Sequence, residues 1–507
     1  MNDAEAIMWA VEADPFLRSD FMNITLLAAR PDPDRLRAGL ERAFAAFPPL
    51  RQRVVRPPFG LAPPVWADDP DFDLLYHVRR VAVPPPGGFR QLLDLAATLA
   101  ATPLDRARPL WELTIVEGLE GGRSAVLQQV HHSLSDGVGG MRLFRMLLQR
   151  TPVEAAAPGD PAQDVELGGV PQTGEPNPLV WRHPEIFSPD DTRPSPLDGW
   201  LDHPHRTEDP DGSWPMLDRF PGSLGDMRGA LAYRFGQAVG ATRRGLELSA
   251  ALPLRSTDEL RLLAERVRRT ARSVADQVVV RGGALSPLMV GRSLARHFEA
   301  MSLDLSAVRE AGRILGGGRN AVFVAGVTGA LLAYHDRMGA PCEALRMVVP
   351  VSLRSGTAPL GGNHFAPARV VVPLGPKDPA ERLLVVQAAL EDVAAEPGVS
   401  LAEGLAGVIS LLPPALLIPA LRAQARTVDF ATSIVPGLRS GRWLAGARVE
   451  GSWPMGPRVG CALNATMLAC GDRLDLGVNL DPAAVTDPSA FMDCLRGSFA
   501  DLLDLPA

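Results

Sequence analysis

Lysine is almost absent from this chain of 507 residues, because Lys377 is the only one. Pro376 precedes it, which excludes a phosphate-binding loop of the Walker type, where glycine precedes the lysine. A catalytic Schiff base would have no other lysine to use. The sequence also lacks the Gly-x-Ser-x-Gly elbow of many serine hydrolases and the Gly-x-Gly-x-x-Gly turn of dinucleotide enzymes. The sequence therefore carries no signature of a Walker-type nucleotide enzyme, a Schiff-base enzyme, a common serine hydrolase or a dinucleotide enzyme.

Cysteine is scarce and scattered, and no CxxC or HExxH pattern occurs, so the sequence predicts no metal site and no disulfide framework. The net charge of −7 gives no indication of nucleic-acid binding, which usually requires an excess of basic residues. Apolar residues at 46% and charged residues at 21% are typical of a globular protein. Residues 1–20 carry charges and no apolar leader, which favours a cytoplasmic location. The four cysteines are Cys342, Cys461, Cys470 and Cys494.

The most informative motif is His131-His132-Ser133-Leu134-Ser135-Asp136-Gly137. The apolar run 125–130 before it predicts a buried strand that ends at the histidines. Because successive strand side chains point to opposite faces, His131 and His132 do not serve one substrate together. One is functional and the other is structural.

A histidine is the natural general base near neutral pH, and we assign that role to His132. His131, on the opposite face, is expected to act on stability. Asp136 is expected to shape the turn or to pair with an arginine. Gly137 has no side chain, so a bulky substrate can approach the backbone there.

With this motif, the sequence resembles the bacterial wax ester synthase/diacylglycerol acyltransferase family, and the resemblance extends along most of its length. The segments that carry the resemblance follow the family's order: Pro109-Leu110-Trp111, HHSLSDG at 131–137, Gly318-Arg319-Asn320, Val349 to Arg354, Gly362-Asn363-His364-Phe365, Ser433 to Gly437, and Met455-Gly456-Pro457. Two positions depart from the family pattern. Ala321 stands where the family has aspartate, and Ile434 where it has asparagine.

The resemblance implies an α/β (α+β) fold of two chloramphenicol acetyltransferase-like lobes with a channel between them. It implies an O-acyltransferase that moves a fatty acyl group from acyl-CoA to a long-chain alcohol or diacylglycerol. Acyl-CoA is then a co-substrate, with no other cofactor and no metal. Asn320, or backbone N–H groups near Gly137, are candidate donors to the oxyanion. The resemblance also suggests four substrate-binding residues: Trp111, Gly362, Asn363 and Ser433.

We predict three segments. Residues 1–150 form an N-terminal lobe with the motif, 151–285 a linker or insertion, and 286–507 a C-terminal lobe of similar style. The middle segment is rich in proline, with 14 prolines in residues 152–221, and continues into an arginine-rich helix over 230–280. These arginines are expected to form the solvent-exposed face of the helix. The other interpretation is that they bind the phosphates of coenzyme A or of anionic lipid.

The stretch Leu405–Leu421 carries no charge, but its prolines disfavour a regular membrane-spanning helix. Core or acyl-tunnel lining is the leading interpretation, and contact with a membrane surface is the second. Peripheral binding to the inner membrane face or to lipid inclusions therefore stays open.

Two further functions remain as alternatives. A condensation-type acyltransferase shares HHxxxDG but uses a specialised acceptor and a carrier-bound acyl group, and neighbouring carrier domains are missing from this chain. A catalytically idle homologue that binds lipid droplets would have no need of His132.

Overall fold

A computed structural model describes residues 1–57, 63–149, 282–352, 363, 365–394, 414–438 and 442–504. The chain divides into two compact units, Met1–Val54 with Trp66–Trp181 and Ala264–Ala507, and Val55–Val65 with Arg182–Leu263. The first unit contains both large sheets. The predicted proline-rich insertion and arginine-rich helix lie outside the described residues.

The first segment alternates helices and strands. Its helices are α1 (Asp3–Val11), α2 (Pro33–Ala46), α3 (Leu74–His77), α4 (Phe89–Ala101) and α5 (Gly137–Leu147). Its strands are β1 (Asp20–Leu27), β2 (Gln52–Val55), β3 (Val65–Asp68), β4 (Val78–Ala82), β5 (Trp111–Glu117), β6 (Ser124–His131) and β7 (Leu148–Gln149).

The last segment repeats this style. Its helices are α6 (Leu305–Ile314), α7 (Arg319–Arg337), α8 (Pro379–Ala394), α9 (Pro414–Ala425) and α10 (Pro488–Leu503). Its strands are β8 (His297–Asp304), β9 (Ala344–Ser352), β10 (Phe365–Pro373), β11 (Phe430–Leu438), β12 (Trp443–Leu444), β13 (Ala447–Met455), β14 (Leu463–Cys470) and β15 (Arg473–Leu480).

The C-terminal segment builds the whole of one large sheet and also contributes two strands to the other. The seven-stranded sheet has the order β4-β5-β6-β1-β13-β12-β7, and the six-stranded sheet has the order β10-β9-β11-β14-β15-β8. Strands β12 and β13 come from the C-terminal segment, and β13 pairs directly with β1. The predicted mixed α/β class with two sheet-containing lobes is confirmed. The predicted chain boundaries at 150 and 286 therefore do not coincide with the limits of the sheets. Strand β13 of the C-terminal segment pairs with the backbone N–H and C=O groups of β1, which would otherwise be an unpaired edge.

Local signals explain where the helices begin. Helix α2 starts after Asp32, whose carboxylate accepts the N–H groups of Asp34 at 3.0 Å and Arg35 at 2.9 Å. This geometry satisfies donors that a helix start leaves unpaired. Helix α7 is buried along most of its length, in the core of the second sheet.

Two segments that the sequence analysis singled out lie in regular elements. Val349–Ser352 lies inside strand β9. Only residues 414–421 of the apolar stretch are described, and they begin helix α9. Leu417 is buried there against Val11 and Leu17, so this residue belongs to a small core between α9 and the N-terminal region.

Within the described ranges no single helix has the length and apolarity to cross a membrane. Helices α6 and α7 taken together are long and apolar enough, but they are bent by 94° relative to each other. Helix α7 has its place in the core of the second sheet.

Candidate active site

The histidine motif stands where strand β6 leaves the seven-stranded sheet. His131 is the last residue of β6 and pairs with Asp20 of β1. Its backbone N–H donates to the carbonyl of Leu110 at 3.0 Å, and the N–H of Leu134 donates back to the His131 carbonyl at 3.0 Å. The second bond closes a tight turn over residues 131–134. His132 is therefore the second residue of a turn that the sheet anchors.

The His131 side chain is fully buried, and polar groups surround it. Its Nε2 contacts the carboxylate of Glu12, and Ser19 Oγ lies 3.4 Å from the same nitrogen. Its Nδ1 accepts the backbone N–H of Ser133 at 3.0 Å and lies 2.6 Å from Ser133 Oγ. This histidine is held by protein on both ring nitrogens, as a structural residue would be.

The His132 side chain points to different neighbours and keeps part of its surface accessible. Its ring meets Phe21 edge-on at 5.2 Å between centroids. Its Nδ1 lies 3.3 Å from Oδ1 of Asn363, and Nδ2 of Asn363 donates to the His132 backbone carbonyl. The second bond orients the amide, because the reverse orientation would set two carbonyl oxygens against each other. Oδ1 then faces Nδ1 as an acceptor.

This arrangement fixes the proton on the imidazole of His132. Since Oδ1 of Asn363 only accepts, Nδ1 of His132 carries the hydrogen and Nε2 keeps its lone pair. Burial lowers the pKa of His132 from 6.5 to about 4, and the bond to Asn363 and the charge of Asp136 offset only part of that effect. His132 is thus neutral at pH 7, and Nε2 is the nitrogen able to take a proton.

Asp136 and Gly137 form the start of helix α5. Asp136 is the N-cap residue, and its Oδ1 accepts the N–H of Gly139 at 2.7 Å. Its backbone carbonyl accepts the N–H of Gly140 at 2.7 Å. The expected role in shaping the turn agrees with this geometry, while the pairing with an arginine stays a prediction. A Cβ on Gly137 would lie 3.5 Å from Val435 of β11, so the two segments approach closely there.

Strand β11 brings Ser433 toward this region. Ser433 and Val435 are two residues apart on one strand and therefore share a face. Val435 packs into the core around helix α5. Ser433 is partly exposed on that face. Its substrate-binding role stays a prediction that this placement makes reasonable.

The structure places Trp111 away from any such role. Its indole N–H donates to the carbonyl of Leu50 at 2.7 Å, and its ring stacks on His77 at 4.7 Å between centroids. The side chain is buried in the core of the first sheet. We expected Trp111 to contact substrate, and the structure corrects this interpretation, because strand β5 turns the ring into the core.

Two further predicted residues are Asn320 and Gly362. Asn320 is buried in the first turn of α7, a helix that packs mainly on α6, α8 and α10. Its role as an oxyanion donor stays a prediction. Gly362 lies outside the described residues. Ala321, which replaces the family aspartate, is buried in the core of the second sheet.

Sequence reasoning missed the buried groups around His131. Glu12 and Ser19 come from the N-terminal region, and Asp20 pairs with His131 in the ladder. Asp20 also binds Arg296 through two bonds of 2.9 and 3.1 Å and accepts from Gln129 at 3.0 Å. No local pattern marks these residues, because every one of their partners is distant in the chain.

A cavity of about 490 Å³ opens beside this buried group. Glu12, Arg18, Tyr76, Arg106 and Glu112 are among its walls. His132 is not among the lining residues. Glu12 lines the cavity and also contacts His131 of the motif. Among the residues with described positions, no group of three or more His, Cys, Asp or Glu side chains could hold a metal ion.

Comparisons with known proteins bear on the whole chain. Residues 1–171 match the wax ester synthase/diacylglycerol acyltransferase catalytic domain, and residues 361–503 match the WS/DGAT C-terminal domain. A provisionally named diacylglycerol O-acyltransferase of Mycobacterium tuberculosis is 31% identical over 505 residues, covering 100% of this chain and 92% of that relative. Another from the same species is 29% identical and covers 87% of this chain and 84% of its own length.

Solved structures show the same fold. The wax ester synthase/diacylglycerol acyltransferase from Marinobacter aquaeolei VT8 superposes with a TM-score of 0.57 at 20% identity, covering 99% of this chain and 98% of that one. The first condensation domain of the CDA synthetase gives a TM-score of 0.55 at 16% identity, covering 100% of this chain and 96% of that one. At these identities the likeness establishes the fold alone.

Proposed function

Because the chain belongs to the wax ester synthase/diacylglycerol acyltransferase family, we propose that it carries a fatty acyl group from acyl-CoA to a long-chain alcohol or to diacylglycerol, forming wax ester or triacylglycerol. It is an acyltransferase by family. The observation that supports this reaction best is the neutral His132, whose Nδ1 lies 3.3 Å from Oδ1 of Asn363 and whose pKa burial lowers to about 4.

The reaction needs one base that becomes an acid. Nε2 of His132 takes the proton of the acceptor hydroxyl as its oxygen attacks the thioester carbonyl. The tetrahedral intermediate collapses with cleavage of the C–S bond, and the imidazolium returns the proton to the leaving thiolate of coenzyme A. Asn363 keeps Nδ1 protonated throughout, so the same nitrogen accepts and donates.

The oxyanion of the intermediate needs donors close to His132. The first turn of α5 follows the motif directly, and its N–H groups carry the positive end of the helix. We favour the backbone N–H groups near Gly137 over Asn320, whose helix packs elsewhere. Gly137 itself leaves that backbone open to an incoming acyl carbonyl.

The direct test supplies purified protein with radiolabelled palmitoyl-CoA and a panel of acceptors: hexadecanol, dioleoylglycerol, and an amine in place of the alcohol. Wax ester or triacylglycerol is expected from the first two. Product from the amine alone would contradict the proposal and would favour condensation-type chemistry, which the fold likeness to a condensation domain leaves open. No product from any acceptor would favour the idle droplet-binding alternative.

Contact with membranes or lipid inclusions is part of the proposal, within a cytoplasmic setting. Helix α9 carries Leu416, which is 64% exposed, beside the buried Leu417. A lone apolar side chain of this kind would contribute to binding a lipid surface. Leu416→Asp is expected to weaken flotation with vesicles while the melting temperature stays unchanged. Unchanged flotation would remove this helix from the contact.

A further inference from the structure

We propose that Glu12 is a positioning residue for the acyl transfer, acting on His132 through the tautomer of His131. The inference rests on the proposed function, since it assigns a task to a residue two contacts away from the base. Glu12 comes from the end of helix α1 and meets a histidine more than a hundred residues later in the chain.

Helix α1 presents two side chains to His131 from one face. Trp9 meets the imidazole edge-on at 6.3 Å between centroids, and Glu12, three residues later, contacts Nε2. Both His131 and Glu12 are buried, with exposed side-chain fractions of 0% and 5%. A buried carboxylate against a buried ring nitrogen is costly to leave unpaired, so the contact is held firmly.

The hydrogen bonds around His131 permit one tautomer. The backbone N–H of Ser133 always donates, and it points at Nδ1 over 3.0 Å, so Nδ1 carries a lone pair. A neutral imidazole then carries its hydrogen on Nε2, the nitrogen that the carboxylate of Glu12 contacts. Glu12 thereby favours the tautomer of His131 whose Nδ1 accepts the backbone N–H of Ser133.

This bond matters to catalysis because of where Ser133 stands. It is the third residue of the turn 131–134, directly after His132, and the turn is closed by Leu134 donating to the His131 carbonyl. Without an acceptor at Nδ1, the N–H of Ser133 would be buried and unpaired, and the turn would shift to satisfy it. A shift of about 1 Å in a catalytic group can cost on the order of 100-fold in rate.

Three variants test the chain of contacts. Glu12→Ala removes the acceptor, and we expect kcat to fall about 10- to 100-fold with KM for palmitoyl-CoA unchanged. Glu12→Gln keeps an oxygen that can accept from Nε2, and should regain most of that rate. Glu112→Gln is the matched control, because Glu112 lines the same cavity but pairs with Arg79. The control should behave as the wild type.

A wild-type kcat in Glu12→Ala, or a Gln variant no faster than the Ala variant, would overturn the proposal. A second measurement needs no turnover and no folded Ala variant. Nitrogen-15 spectra of histidine-labelled wild type, with His131 assigned through His131→Gln, report which ring nitrogen carries the hydrogen. We expect Nε2–H in the wild type and in Glu12→Gln, and finding Nδ1–H there would also overturn the proposal. If the wild type forms no ester yet shows Nε2–H, the proposed function fails while the assigned tautomer stands.

Discussion

The two adjacent histidines occupy contrasting surroundings. His131 is closed in by Glu12, Ser19 and Ser133, and both of its ring nitrogens are used by protein. His132 has one nitrogen bound by Asn363 and keeps part of its surface accessible. The rings also carry their hydrogens on opposite nitrogens, Nε2 in His131 and Nδ1 in His132. The difference supports our prediction that one histidine of the motif is structural and the other is reactive.

The largest effect should come from removing the reactive ring. His132→Ala is expected to reduce ester formation about 100- to 10,000-fold, the usual worth of general base catalysis. The fold should survive, because this ring is only partly buried. Turnover of palmitoyl-CoA with hexadecanol and a melting curve check both parts. A variant that keeps more than half of the activity would remove His132 from the reaction.

The next effect should come from the partner that orients His132. Asn363→Leu frees the ring and should lower kcat about 10- to 100-fold. The wild-type profile of kcat/KM should stay flat through pH 6.5 and decline toward pH 4, because burial lowers the pKa of His132 to about 4 and the base is lost only when it is protonated.

Asn363→Asp sharpens this test, since a carboxylate beside Nδ1 favours the imidazolium and raises the pKa. Its acidic limb should therefore move to higher pH than that of the wild type. A limb that stays in place in Asn363→Asp would separate Asn363 from the titrating group.

His131→Ala should act mainly on stability. The substitution leaves Glu12 and the Ser133 N–H buried without partners, which costs about 1–3 kcal/mol for each unpaired group. Denaturant unfolding measures the loss, and activity per folded molecule should fall less than in His132→Ala. Normal stability together with lost turnover would reverse the roles of the two histidines.

Asp136→Asn should give the smallest effect. Asparagine also caps helices well, so the helix start should persist with a loss below about 1 kcal/mol. Removal of the charge should weaken activity, and the pH limb should remain assigned to His132. Disappearance of the acidic limb in this variant would place the carboxylate in the proton path.

Much of the local structure follows from sequence pattern. The apolar run before the histidines predicted a buried strand, and strand β6 covers this run and ends at His131. These features depend on neighbours in the chain, which a sequence displays directly. The opposite orientation of the two histidines was predicted for the same reason, from the alternation of strand side chains.

Other features depended on contacts that a sequence does not display. Trp111 stands in a motif shared with the family, yet only the packing of β5 shows that its ring belongs to the core. Asn363 was predicted to bind substrate, and the structure shows that its side chain also lies against His132. The two residues are 231 positions apart, so no local spacing relates them.

The sequence by itself determined the fold class and the acyltransferase family, because both follow from short motifs in the family's order along the chain, and it predicted one reactive histidine in HHSLSDG. Tertiary structure alone decided which nitrogen of each ring carries a hydrogen. We infer that this choice is made by Glu12 and Asn363, which lie before and after the motif in the sequence. Hydrogen-bond partners select a tautomer, and folding is what brings those partners to the histidines.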